Sequence, residues 1–263
     1  MKKTKLSLLP LFLTALMVLT SCNNDPSSVT FTLKNLGNNV EIHQEHQALY
    51  LLDEDYDEIG TYAAYASLED YANPIGVNFS WKVQKAQKYK VNIYEENNET
   101  PLVYETDKQN IDIYNLKVNT NYTWTVSATY PSNTFTSKPS SFKTTPYAPR
   151  NIYLEGVDNV RDVGGNVGLD NKIVKQGLLY RSGQLNEDEV TTNIPLVTEN
   201  GIKEAREVLN IKTDIDLRKN VEIDGEIENS GLTSSPLGED VNYYSIPMYY
   251  DGQNMLKHGD ETK

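Results

Sequence analysis

The chain has 263 residues and a formal net charge of −13 at pH 7, enough length for two ordinary domains or one large one. So acidic a surface is repelled by a phosphate backbone and releases no counterions on meeting it, which argues against nucleic acid as a partner. A single cysteine and three histidines exclude an internal disulfide and a Cys-rich metal site.

The N-terminus reads "MKKTKLSLLPLFLTALMVLTSC". Lys2, Lys3 and Lys5 precede a largely apolar run from Leu6 to Leu19. That run is short of the ~20 residues a membrane span needs and suits the core of a secretory signal. "LTSC", Leu19 to Cys22, resembles the lipobox of bacterial lipoproteins: an apolar residue, two small ones, then cysteine. The resemblance implies a signal peptide over 1–21 and acylation of the Cys22 thiol, which becomes the mature N-terminus. It also implies a protein lipid-anchored to the bacterial membrane or cell surface, outside the cytoplasm. Each buried methylene of such chains contributes ~0.8 kcal/mol. An ordinary secretory signal with a chance cysteine is the alternative. Residues 22–28 read as a polar tether.

His43 and His46 stand three apart in "EIHQEHQ", a spacing that places two ligands on one helix face. No third ligand is evident, so they are expected to be surface histidines, with no metal. The following acidic, Tyr-rich stretch up to about Trp81 has no assignable pattern.

From about Val29 to Thr145 the signals are β, and no long helical period interrupts the segment after Trp81. "YKVNIYEE" alternates Tyr89, Val91 and Ile93 with polar neighbours. "NYTWTVSA" puts Tyr122, Trp124, Val126 and Ala128 on one face. Several short period-two runs with polar turns between them predict antiparallel sheets. Trp81, the Leu116-to-Tyr122 step, Trp124, Val126, Ala128 and Phe142 to Thr144 resemble a fibronectin type III domain, spanning 29–146. The leucine-to-tyrosine step resembles its tyrosine corner, whose hydroxyl bonds the backbone a few residues upstream. The resemblance implies a spacer or a binding module.

"TTPYAPRN", Thr144 to Asn151, carries two prolines and marks a boundary. Beyond it, "KIVKQGLLYRS" reads as a strand. "TENGIKEAREVLN" has Ile202, Ala205, Val208 and Leu209 at helical spacing, with Thr198 or Asn200 as N-cap. Thr213 to Leu217 and Tyr243 to Ile246 read as further strands. The order β–β–α–β–(α)–β predicts an α/β layer with an at least partly parallel sheet.

Three motifs run through this segment: Asn159, Arg161, Asp162, Gly164 and Gly165; Gly177, Tyr180, Arg181, Ser182, Gly183 and Leu185; Asp216, Leu217, Arg218 and Glu222. Together they resemble the bacterial and fungal tyrosine phosphatase-like family over 151–263. The resemblance implies a cysteine thiolate that attacks phosphorus. Backbone amides at a helix N-terminus and an arginine would hold the phosphoryl oxygens. It also implies phosphorylated protein or phosphoinositide as partner and no cofactor.

The family's H-C-x5-R loop is missing here: the one cysteine is Cys22, and Arg218 is the last arginine. No catalytic residue is therefore assigned, and the chain is expected to be inactive as it stands. Two readings stay open, a chain truncated ahead of its catalytic loop and a stand-alone remnant with a binding role. A non-enzymatic surface module that binds glycan or protein through the sandwich is the rival function. Ligand sites lie at the carboxyl ends of parallel strands, so Arg181 and Arg218 are candidates to share one crevice and support a phosphate site. Asp216 would orient an arginine or the missing loop. The competing role for either arginine is a salt bridge to Asp162, Asp216 or Glu222. Gly164, Gly165 and Gly183 are expected to be turn glycines. The expected fold class is thus an all-β, fibronectin III-like sandwich followed by an incomplete α/β cysteine-phosphatase-like domain.

Overall fold

The computed structural model of the protein describes residues 26–53, 71–186, 195–218, 221–223, 226–228 and 233–246. Cys22, the acidic stretch 54–70 and the segment 247–263 lie outside the described residues. The first part contains β1 (Thr32–Leu33), α1 (Glu45–Leu52), β2 (Val77–Lys82), β3 (Lys88–Glu95) and β4 (Leu102–Thr106). It continues with β5 (Asn110–Ile113), β6 (Asn121–Thr129), β7 (Thr134–Thr136) and β8 (Ser140–Lys143). One sheet has the order β1-β2-β5; the other runs β4-β3-β6-β7, with β8 also on β6. All these pairings are antiparallel.

The period-two pattern places the core as the sequence predicts. Tyr89 lies opposite Ala128, Val91 opposite Val126 and Ile93 opposite Trp124, and all six are buried. From the facing sheet, Phe79 meets Trp124 edge-on at 5.0 Å and Phe142 at 5.4 Å. Such pairs add ~0.5–1.5 kcal/mol each beyond their burial. Tyr122 accepts a hydrogen bond from the Lys117 amide at 2.9 Å, the bond expected of a tyrosine corner.

The two N-terminal histidines are not on the surface. His43 is 1 % and His46 is 7 % exposed. His43 Nδ1 lies 2.9 Å from Glu41 Oε1, and His46 Nε2 lies 3.1 Å from the Tyr71 carbonyl. Only His46 belongs to α1. A reciprocal capping box between Gln44 and Gln47 starts that helix, and Gln47 continues inward to the Asn73 carbonyl. These local polar partners offset part of the cost of burying the imidazoles, and His43 Nε2 is buried without one among the described residues.

The second part begins with three short strands: β9 (Arg150–Asn151), β10 (Arg161–Asp162) and β11 (Tyr180–Arg181), in the antiparallel order β11-β10-β9. The strand expected over "KIVKQGLLYRS" shrinks to Tyr180–Arg181, and Leu178 and Leu179 are exposed. Main-chain bonds from Val163 to Leu179, Gly165 to Val174 and Val174 to Asn166 fold this stretch back on itself instead. Asp170 and Asn171 make the reversal with left-handed φ of 60° and 57°.

α2 (Glu199–Lys203) starts at Thr198, whose hydroxyl accepts from the Gly201 amide at 3.1 Å. It continues as a π-helical turn over Glu204–Val208. Ala205 and Leu209 bury their side chains in a second core with Ile152, Leu154, Val160 and Val197. β12 (Thr213–Asp216) follows, then a hairpin of β13 (Val221–Ile223) and β14 (Glu226–Glu228), then β15 (Asn242–Ser245). The hairpin stands where a second helix was expected. β12 and β15 are parallel, with Asp216 opposite Ser245, so parallel pairing is present and, among the described strands, confined to these two.

Candidate functional site

The Asn159-to-Gly165 motif is built around one carboxylate. Asp162 is fully buried on β10. Its Oδ2 accepts from Arg150 Nε at 3.0 Å, Arg150 Nη2 at 2.9 Å and the Gly177 amide at 2.8 Å. Its Oδ1 accepts from the Gly164 amide at 2.9 Å. One residue thus ties β9 to both glycine-bearing motifs. Hydrogen bonds to a charged group contribute ~1.5–3 kcal/mol each, and burial makes their loss costlier. Gly164 is required by close approach rather than by a turn: a Cβ there would lie 2.4 Å from the Gln176 Cα. Gly165, with φ +91°, is the turn glycine of the pair.

The same region is joined to the sandwich by amide side chains. Asn115, at φ 64° just before the tyrosine corner, accepts from the Tyr153 amide at 2.7 Å and donates to the Tyr153 carbonyl at 2.9 Å. Its second N–H donates to Glu204 Oε1 at 2.6 Å. Burial raises the Glu204 carboxyl pKa, and the Asn115 bond opposes that rise. In the opposite direction, Gln176 accepts from the Val118 amide at 2.9 Å and donates to its carbonyl at 3.0 Å. Each primary amide behaves as a strand neighbour one peptide long. Arg150 Nη1 adds a bond to the Asn115 carbonyl, and Tyr114 stacks on Tyr153 at 4.7 Å.

The Asp216–Arg218 motif lies at the carboxyl end of β12. Arg218 Nε is 2.9 Å from Asp216 Oδ1 and its Nη2 is 2.6 Å from Oδ2, while its own amide donates to Oδ1 at 3.0 Å. Tyr243 on β15 donates its hydroxyl to Asp216 Oδ2 at 3.1 Å. Burial alone would raise the Asp216 pKa, but the Arg218 bonds and the Tyr243 hydroxyl outweigh it and lower the carboxyl to about 2. Asp216 and Arg218 thus hold each other at the strand end. Glu222 lies on β13, opposite Ile227.

Arg181 and Arg218 do not share an edge of one parallel sheet. β11 belongs to the antiparallel β9–β10–β11 sheet and β12 to the separate parallel pair. The reason is local: a two-residue β11 spends its main chain on β10, in register Arg161 with Arg181 and Asp162 with Tyr180. Nor does Arg181 take Asp162, which Arg150 occupies. Arg161 is partly covered, while Arg181 and Ser182 are exposed. Gly183 donates its amide to the Asp158 carbonyl at 2.9 Å. Among the described residues, no group of three His, Cys, Asp or Glu side chains is placed to hold a metal ion.

Sequence reasoning missed Arg150, Asn115 and Gln176. Arg150 stands next to last in the proline-bearing linker, and only its position two residues ahead of the apolar Ile152 hinted at burial. The two amides carry no periodic signal at all.

No curated protein is similar enough to match the chain. Two solved structures resemble parts of it. One, described as "Myokine structure", is 19% identical over 26% of this chain and 80% of its own, with a TM-score of 0.24. The other is the fn3 domain of human collagen alpha-1(XX) chain, 14% identical over 30% of this chain and 81% of its own, with a TM-score of 0.26. The segment that carries all three motifs, residues 152–263, matches the sequence model of the tyrosine phosphatase family.

Proposed function

We propose that the chain is a lipid-anchored member of the tyrosine phosphatase family whose 263 residues do not themselves hydrolyse phosphate esters. The observation that carries the family reading is the match over residues 152–263, which spans the three motifs in order. The inactivity follows from chemistry. Phosphate transfer in complete members runs through a cysteine thiolate, and the one cysteine here is Cys22, next to an apolar N-terminal run. Asp216 and Arg218 clasp each other at a strand end, which prepares an arginine but supplies no nucleophile. Phosphorylated protein or phosphoinositide is the substrate class of the family reading. Acylation of Cys22 would hold the protein on the outer side of a bacterial membrane.

One variant tests both halves. The full chain and Cys22→Ser are compared for p-nitrophenyl phosphate turnover and for incorporation of a clickable palmitate analogue in bacteria. Turnover equal to the buffer blank in both proteins, with label only in the first, is expected. Turnover above blank ends the claim of inactivity, and label retained in Cys22→Ser ends the claim of a lipid anchor.

A further inference from the structure

All five arginines of the chain fall between residues 150 and 218. Three of them take an aspartate each: Arg150 with Asp162, Arg206 with Asp240 and Arg218 with Asp216. The remaining two, Arg161 and Arg181, face each other directly across β10 and β11. Residues opposite each other in an antiparallel pair project from the same face. The β9–β10–β11 sheet therefore has two rows. Arg150, Asp162 and Tyr180 form the row in which the buried ion pair lies. Asn151, Arg161 and Arg181 form the other, and it opens from a buried Asn151, through a partly covered Arg161, to an exposed Arg181.

Among the described residues no carboxylate pairs with Arg161 or Arg181, and the Arg161 Nε is buried with no hydrogen-bond partner. Like charges directly opposite each other destabilise a sheet, and an unsatisfied buried donor adds to that cost. Among the described residues, the three aspartates that take arginines all pair elsewhere. An anion seated between the two guanidinium groups would relieve the repulsion between them. Arginine's planar fork matches phosphate oxygens in pairs, which a lysine cannot do.

We propose that Arg161 and Arg181 form a binding site for a phosphate monoester dianion on the open row of the β9–β10–β11 sheet. This site uses no residue of a cysteine loop and does not depend on turnover, so a chain that hydrolyses nothing still binds.

The probe is inorganic phosphate, titrated into the full chain in about 0.15 M NaCl, where diffuse attraction to exposed charges is screened. Heat or amide chemical shifts report occupancy. Saturable binding to one site is expected, stronger at a pH where the phosphate is a dianion than where it is a monoanion. Arg181→Gln, at an exposed position, and Arg161→Lys, which keeps charge but loses the fork, should each weaken it by about tenfold. Arg206→Gln, whose side chain pairs with Asp240, should leave it unchanged. Phosphotyrosine and vesicles of phosphatidylcholine with phosphatidylinositol 4-phosphate serve as further arms. Tighter binding of either names the carrier of the phosphate, and equal affinity names the phosphate group alone.

The proposal is overturned by non-saturable binding or by an unchanged affinity in Arg181→Gln. A loss in Arg218→Gln alone also overturns it and moves the anion to the end of β12. Because Arg181→Gln alters only an exposed side chain, it decides the matter even if Arg161→Lys fails to fold.

Discussion

Strands β3 and β6 turn Tyr89, Val91, Ile93, Tyr122, Trp124 and Val126 inward, with polar side chains toward water. β12 does the reverse: Asp216 is buried and Asp214 half-buried, while Ile215 is 51 % exposed. Both keep the strand period of two. What differs is the force the inner face serves. In the sandwich it is exclusion of water from apolar surface. On β12 it is polar pairing: Ser235 donates to Asp214 Oδ2 at 2.8 Å, and Asp216 collects Arg218 and Tyr243. Alternation therefore says where the faces are, and only side-chain chemistry says which one is covered and why.

The sharpest way to break this contrast is at the buried ion pair that ties the second region together. Arg150→Met leaves Asp162 charged and buried with two amide donors, and breaking such a pair costs ~3–5 kcal/mol. Amide exchange at Gly164 and Gly177, the two amides Asp162 holds, should speed up accordingly. Both tryptophans, Trp81 and Trp124, sit in the sandwich core, so their fluorescence follows that region separately. A urea midpoint by fluorescence that falls as far as the amide protection would show one cooperative body and remove the contrast.

A smaller effect is expected from acid. The Asp216 pKa is lowered in the folded chain from 3.8 to about 2. A depressed carboxyl contributes stability above its unfolded value and loses it as pH falls through its folded value. Asp216→Asn should therefore flatten the stability profile between about pH 4 and pH 2. Glu41 shifts in the same sense. Burial raises its pKa, but the His43 bonds prevail and hold it at about 2, so Glu41→Gln serves as the matching change in the first part of the chain. Urea unfolding across that range measures both, and an unaltered slope in Asp216→Asn removes the assigned role of the Arg218 clasp.

The least effect should come from the outward face of β12. Ile215→Thr removes an exposed apolar group and should change stability by no more than ~0.5 kcal/mol. A loss of 2 kcal/mol or more would reveal that the face is covered in solution and that its chemistry resembles the sandwich after all.

Much of the first region was legible. Period-two runs located β3 and β6, and the Leu116-to-Tyr122 step foretold the bond to the Lys117 amide. The helix cap at Thr198 was legible for the same reason, since capping is decided within four residues. Partner choice was not. Asp162 had several arginines within reach in sequence terms, and Arg150 won because β9 lies beside β10 in the sheet. The long β11 failed because apolar content alone does not make a strand: the run from Lys175 to Leu179 bends at Gly177, whose φ is +77°. The histidines were misjudged because burial of an imidazole depends on carbonyl and carboxylate partners that spacing cannot reveal.

The two amide clasps across the linker have a consequence for how such a protein can be reshuffled. A sandwich with its own core can be exchanged where its surface asks nothing of its neighbour. Here Asn115 lends its amide to Tyr153, and Val118 in turn receives Gln176. A substitute module would need an asparagine in the left-handed position before its tyrosine corner and an open peptide three residues later. A sandwich lacking either would leave the Tyr153 peptide or the Gln176 amide without its partner, so moving one half alone forfeits the bonds that join them.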